Sequence, residues 1–217
     1  MYHCLICQNK TSKPFRSICQ GCRNLLSHPK YDCTQCGSEL QQEHKLCGNC
    51  QKASPYFSQV KYACVYQQPI DNWVKSLKFS GKIHMSRLFA EAMLAQLNQY
   101  DSCYTLMPVP LHVSRLRKRG YNQAYEIAKE LAKISQFKLN NCLIRTKNTA
   151  MQAQLKLNQR AKNISKAFSV KNSLEDKKII LIDDVMTSGY TLNECAKTLF
   201  KAGAEDVKVL VFARKSL

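Results

Sequence analysis

Glycine is scarce in this chain, with seven residues in 217, at positions 21, 37, 48, 81, 120, 189 and 203. None of them completes a G-x-x-x-x-G-K-[ST] phosphate loop, and no two stand two apart, so a Walker nucleotide hydrolase and a dinucleotide fingerprint are both excluded. Long apolar runs are missing too. No stretch approaches the roughly 18 to 20 consecutive apolar residues of a membrane span, and Met1-Tyr2-His3-Cys4 opens nothing like a signal peptide, so a cytoplasmic protein is expected. Acidic residues are outnumbered, 15 Asp and Glu against 33 Lys and Arg, for a formal charge of +18. Such a surface favours polyanionic partners, whether phosphate-bearing small molecules or nucleic acid.

The charge is concentrated. Residues 111 to 171 hold 14 Lys or Arg against only Glu126 and Glu130, a net +12 in under a third of the chain.

Cysteine, by contrast, is abundant. Eight of the twelve fall in four C-x-x-C pairs within the first fifty residues: Cys4/Cys7, Cys19/Cys22, Cys33/Cys36 and Cys47/Cys50. In a reducing compartment that pattern reads as metal ligation, because one tight turn offers two thiolates to a tetrahedral Zn²⁺ and a second turn closes the shell. The pairs form an internal repeat of about 29 residues. Sequential pairing would make two stacked zinc ribbons; crossed pairing, or a single occupied site, satisfies the spacing equally. Two zinc ions on eight thiolates would leave a net charge of about +14. The other cysteines, Cys64, Cys103, Cys142 and Cys195, sit among apolar neighbours and are expected to be buried small hydrophobes.

Residues 1–58 have few periodic apolar positions and cannot bury a core of their own, whereas residues 59–217 alternate strand-like and helix-like segments. Strands are predicted at 60–66, 104–111, 142–145, 167–170, from 179, and at 207–213, with helices at 69–79, 84–98, 122–134 and from about 189 to Gly203. The alternation implies an α/β fold with a mostly parallel sheet flanked by helices, beside a small amino-terminal zinc-ribbon domain. Trp73, Phe79 and Tyr121 are expected to be core residues.

One segment carries the chemistry. In "IILIDDVMTSGYTL", residues 179–192, an aliphatic run ends on Asp183 and Asp184 and passes into a hydroxyl-rich turn containing Gly189. Ligands of parallel α/β sheets collect beyond the carboxyl ends of the strands. The paired carboxylates there need a cation, a ligand or water, and the helix mouth following them offers backbone N–H groups to a phosphate.

This segment resembles the 5-phosphoribosyl 1-pyrophosphate (PRPP) signature of type I phosphoribosyltransferases. With "PVPLHVSRLRKRGYNQA" at 108–124, "NQRAKNISKAF" at 158–168 and the cysteine array, the whole chain is similar to the ComF/GntX family of competence-associated, phosphoribosyltransferase-like proteins. The resemblance implies that Asp183 and Asp184 engage the ribose hydroxyls directly or through Mg²⁺. Met186, Thr187, Ser188, Gly189, Tyr190 and Thr191 would hold the 5′-phosphate, and a pyrophosphate-side loop would include Val109 and Arg115. Arg119 and Arg160 would stabilise the leaving group, the latter from a mobile basic loop over 145–163. The implied partners are PRPP, single-stranded DNA, and competence proteins, the DNA-uptake helicase included. Two alternatives stand beside DNA uptake: base salvage, and a zinc-ribbon nucleic-acid adaptor without catalysis.

Overall fold

The computed structural model describes residues 2–13, 15–148 and 164–215. The amino-terminal segment contains a two-stranded ribbon, β1 (Tyr2–His3) with β2 (Lys10–Thr11), and two short helices, α1 (Gln20–Arg23) and α2 (Gly48–Lys52). Cys19 and Cys47 are the N-cap residues of these helices, both in extended backbone. The second turn of each repeat is therefore a helix start.

Then follow β3 (Val60–Val65), α3 (Ile70–Phe79), α4 (Met85–Leu97), β4 (Thr105–Pro108), α5 (Val113–Arg119), α6 (Gln123–Ile134), β5 (Lys138–Leu139), β6 (Leu143–Arg145) and β7 (Phe168–Val170). The described chain closes with β8 (Lys178–Met186), α7 (Tyr190–Lys201) and β9 (Asp206–Arg214). The main sheet has the order β3-β9-β8-β4-β5, with every neighbouring pair parallel. β6 and β7 form a separate antiparallel pair.

Both faces of this sheet are covered, which explains why its central strands are apolar at successive positions. On one face α3, α4 and α6 pack over Ile180, Ile182, Leu210 and Phe212, with Phe89 stacked on Phe212 at 3.7 Å between ring centroids. On the other, Leu192, Cys195, Ala196 and Leu199 of α7 meet Ile179, Leu181, Val209 and Val211. Gly203, at φ +103, follows the end of α7 and allows the reversal into β9.

Because the amino-terminal segment lacks a core, it borrows this one. Cys4, Ile18 and Cys22 join the apolar cluster of α4, and Glu91, only 3% exposed, accepts from Ser17 N at 2.8 Å and from Ser17 Oγ at 3.2 Å.

Three expectations change. α5 was not expected: it buries no residue and so carries no periodic apolar signal. Phe79 is 66% exposed rather than core, although Trp73 and Tyr121 are buried. Cys103 is exposed and Cys142 half-buried, leaving Cys64 and Cys195 as the buried pair among the four scattered cysteines. The basic loop expected over 145–163 lies, from 149 onward, outside the described residues, and Arg160 with it.

Candidate functional site: a strand end, a phosphate turn and an arginine cluster

β8 runs through the acidic pair to Met186, so Asp183 and Asp184 stand within the last turns of the pleat rather than beyond it. Alternation along the strand separates their surroundings. Asp184, 2% exposed, lies on the α3 side, where its Oδ2 meets Lys78 Nζ at 2.9 Å. Lys78 is held above the ordinary lysine value because the fields of Asp184 and Asp183 outweigh its burial. Asp183 lies in the field of Arg145 and close enough to Cys195 of α7 to raise that thiol, which burial has already pushed up. Burial and the neighbouring Asp184 push the Asp183 carboxyl up to about 8, with Lys78 opposing. Each aspartate Oδ1 accepts from the next backbone N–H, Asp184 N at 2.9 Å and Val185 N at 2.8 Å.

Two carboxylates thus share one ammonium. The raised Asp183 carboxyl is the one that a divalent cation would stabilise as an anion, so Asp183 fits the Mg²⁺ that the signature implies.

The turn that follows has the local form a phosphate cradle needs. Gly189 is in the left-handed region at φ +77, and a Cβ there would come within 2.6 Å of Met186 Cε. Met186 is buried beneath the turn, so any contribution it makes to a ligand comes from its backbone. α7 begins at Tyr190, and its first N–H groups have no carbonyl one turn back. Thr187, Ser188, Tyr190 and Thr191 are half-buried around that helix mouth. Among the described residues, no protein group bonds the hydroxyls of Thr187, Ser188 or Thr191.

The carboxyl end of β4 adjoins that of β8. Val109 N donates to Ile182 O at 2.9 Å and Val109 O accepts from Asn122 Nδ2 at 3.0 Å, so its backbone anchors the loop and is already engaged. His112 caps α5, accepting from Ser114 N at 3.3 Å, and pairs as an isolated parallel bridge with Arg145. Arg119 Nη1 donates to Gln123 Oε1 at 2.6 Å, and its guanidinium lies 5.5 Å from the centre of the Phe79 ring. Burial lowers Arg115, with Arg119 adding to the effect, and burial lowers Arg145, with Arg115 adding. Arg119, Arg115 and Arg145 are thus successive electrostatic neighbours, and Arg145 is the one that reaches the field of Asp183.

Sequence reasoning missed Arg145 because β6 is a short, weakly patterned strand. It missed Lys78 because a lysine in an amphipathic helix looks like a solvated one.

The amino-terminal cysteines form two clusters, Cys4, Cys7, Cys19 and Cys22 in one and Cys33, Cys36, Cys47 and Cys50 in the other, with the four sulfurs of each within 4.8 Å of one another. The pairing is sequential. Tetrahedral zinc with Zn–S bonds near 2.3 Å sets its sulfurs about 3.8 Å apart. Cys7 and Cys19 stand at 3.5 Å, and Cys36 and Cys47 at 3.6 Å, so both clusters fit zinc.

Residues 86–216 match the family model described as the phosphoribosyl transferase domain. The chain belongs to that family. Over nearly its whole length it also falls with the competence-protein members. It is 32% identical to competence protein F of Haemophilus influenzae, across 98% of this chain and 97% of that one. It is 28% identical to competence protein ComFC of Bacillus subtilis, across 92% and 89% respectively. DNA utilization protein YhgH of Escherichia coli K12 is 26% identical, across 97% and 96%. The acidic strand end and hydroxyl turn fall within the matched residues. No helix among the described residues is long and apolar enough to cross a membrane.

Proposed function

We propose that this protein binds PRPP at the β8–α7 turn and acts in DNA uptake, handling single-stranded DNA beside that site. The observation that carries the reading is the combination of Asp183, drawn up to about 8 at a parallel strand end, with an adjoining helix mouth whose hydroxyls have no hydrogen-bond partner among the described residues. The relatives' names, competence protein and DNA utilization protein, support the cellular role.

In this reading the backbone N–H groups at the start of α7, with Thr187, Ser188 and Thr191, hold the 5′-phosphate. Asp183 receives the ribose hydroxyls and would hold the Mg²⁺, while Asp184 stays on its ion pair with Lys78. Bound Mg²⁺ would offset negative charge on the pyrophosphate. Arg145 lies beside Asp183, with Arg115 and then Arg119 coupled to it, and fixed charges of this kind favour a polyanion without further reorganisation. Lys78 holds Asp184 in place through the 2.9 Å ion pair.

DNA handling is supported by what lies next to this cluster. Phe79 is 66% exposed, Val113 51% and Leu116 39%, Arg119 sits over the Phe79 ring, and Arg117 and Lys118 precede it in the last turn of α5. An exposed ring under a guanidinium is a stacking platform for a base, and the surrounding cations track a backbone.

Calorimetric titration with PRPP and MgCl₂ tests the site. The wild type binds and Asp183→Asn loses binding; undiminished affinity in the variant would refute the assignment. Adding a single-stranded oligonucleotide while following pyrophosphate release scores transfer against binding alone. In fluorescence anisotropy, oligonucleotide affinity falls steeply with salt, and Phe79→Ala weakens it by about 1–3 kcal/mol.

A further inference from the structure

Arg214, the last residue of β9, is 3% exposed and joins two regions far apart in sequence. Its Nε donates to Cys36 O at 3.0 Å and its Nη2 to Ser38 Oγ at 2.9 Å, both in the second cysteine repeat. Its Nη1 donates to Met186 O at 3.3 Å and to Thr187 O, both in the phosphate turn, and also to Lys215 O. One planar, rigid fork therefore fixes the distance between a cysteine loop and the turn.

The chain of contacts extends to the metal ligand. Cys36 Sγ lies 3.2 Å from Ser38 Oγ. When Cys36 is a metal-bound thiolate it has no proton, so the Ser38 hydroxyl donates to the sulfur and keeps its lone pairs for Arg214. At the other end, Thr187 C=O and Ser188 N–H belong to one planar trans peptide and point in opposite directions. Drawing the carbonyl onto Arg214 turns the Ser188 N–H away from it, toward the side open to a phosphate.

Two more contacts tie the same region to the turn. The Phe57 ring stands 3.9 Å from the Cβ position of Gly189, and Tyr56 N donates to Asn193 Oδ1 of α7 at 2.6 Å. The first cysteine repeat makes its contacts elsewhere, on α4.

We propose that Arg214 is a positioning residue for the phosphate turn and that the second cysteine cluster, through Cys36 and Ser38, sets its place, so that metal in that cluster tightens sugar-phosphate binding. The inference rests on the reading of the turn given above. Arg214 touches no ligand; it acts through the Met186 and Thr187 carbonyls.

The test uses the full chain, titrated with ribose 5-phosphate and, separately, with PRPP and MgCl₂, with zinc content measured for every sample. Ser38→Ala keeps all eight thiolates and both zinc ions, yet weakens ribose 5-phosphate by about tenfold. Cys47→Ser loses one zinc and weakens it similarly, and Arg214→Lys, unable to fork, does the same. Ser17→Ala, the equivalent change in the first repeat, stays within about twofold. Hydrogen exchange at the Ser188 to Thr191 amides quickens in Ser38→Ala and not in Ser17→Ala. Should Arg214→Lys fail to fold, Ser38→Ala decides. Unchanged ribose 5-phosphate affinity in Ser38→Ala, or equal losses in Ser38→Ala and Ser17→Ala, overturns the coupling. A wild type that binds neither ligand overturns the reading of the turn itself.

Discussion

Asp183 keeps its proton to about pH 8 in the fold, whereas an ordinary aspartate gives it up near 3.8. Between those values the native state binds more protons than the unfolded chain, so the ligand-free protein loses stability as pH climbs from about 4 to about 8 and levels off above. Urea midpoints across that range should show the decline, and Asp183→Asn should flatten it while raising stability at pH 8 by about 1–3 kcal/mol. Asp184→Asn should act in the opposite sense. It strips Lys78 of its only short ion-pair partner among the described residues, in a half-buried setting, and should cost about 2–3 kcal/mol in the same measurement. Adjacent aspartates of one motif are thus expected to separate into a ligand-facing carboxyl and a structural one.

At the scale of elements, the turn between β8 and α7 is held from below by Met186 and from the side by Arg214. Gly189→Ala forces an L-residue to φ +77, and the added Cβ meets Met186 Cε, a flexible tip that can yield. The backbone term dominates. A cost of about 1–2 kcal/mol in thermal or urea unfolding is expected, with weaker ribose 5-phosphate binding. The elements themselves were mostly legible. Continuous apolar runs announced β3, β8 and β9, and amphipathic spacing announced α3, α4, α6 and α7, because burial on one or both faces leaves that imprint. α5 left none, since it buries no side chain and owes its position to the His112 cap and a left-handed Gly120 at φ +86. The acidic pair and hydroxyl turn were readable as a candidate site because no single residue type explains both. Lys78 and Arg145 were not, since what distinguishes each is a neighbour brought by the fold.

Across the whole molecule, the amino-terminal repeats are attached to the sheet domain by buried polar contacts, Ser17 with Glu91, Tyr62 with Asp32 at 2.7 Å, and Arg214 with Cys36 and Ser38. Zinc removal should therefore be felt beyond the repeats. Metal analysis is expected to return two zinc ions per chain, and chelation should lower the melting temperature of the sheet itself, read as far-UV ellipticity; an unshifted melt would mean that the repeats are thermodynamically separate. β9 adds a constraint of another kind. It is the last of the described strands, yet it lies between β3 and β8. During synthesis the cysteine repeats can close as local loops while β3 waits, unpaired, for a neighbour encoded some 140 residues later. A chain ended after α7 would lose the middle of its sheet rather than an edge, so ribosome-bound intermediates should carry formed ribbons on an unassembled sheet until β9 emerges.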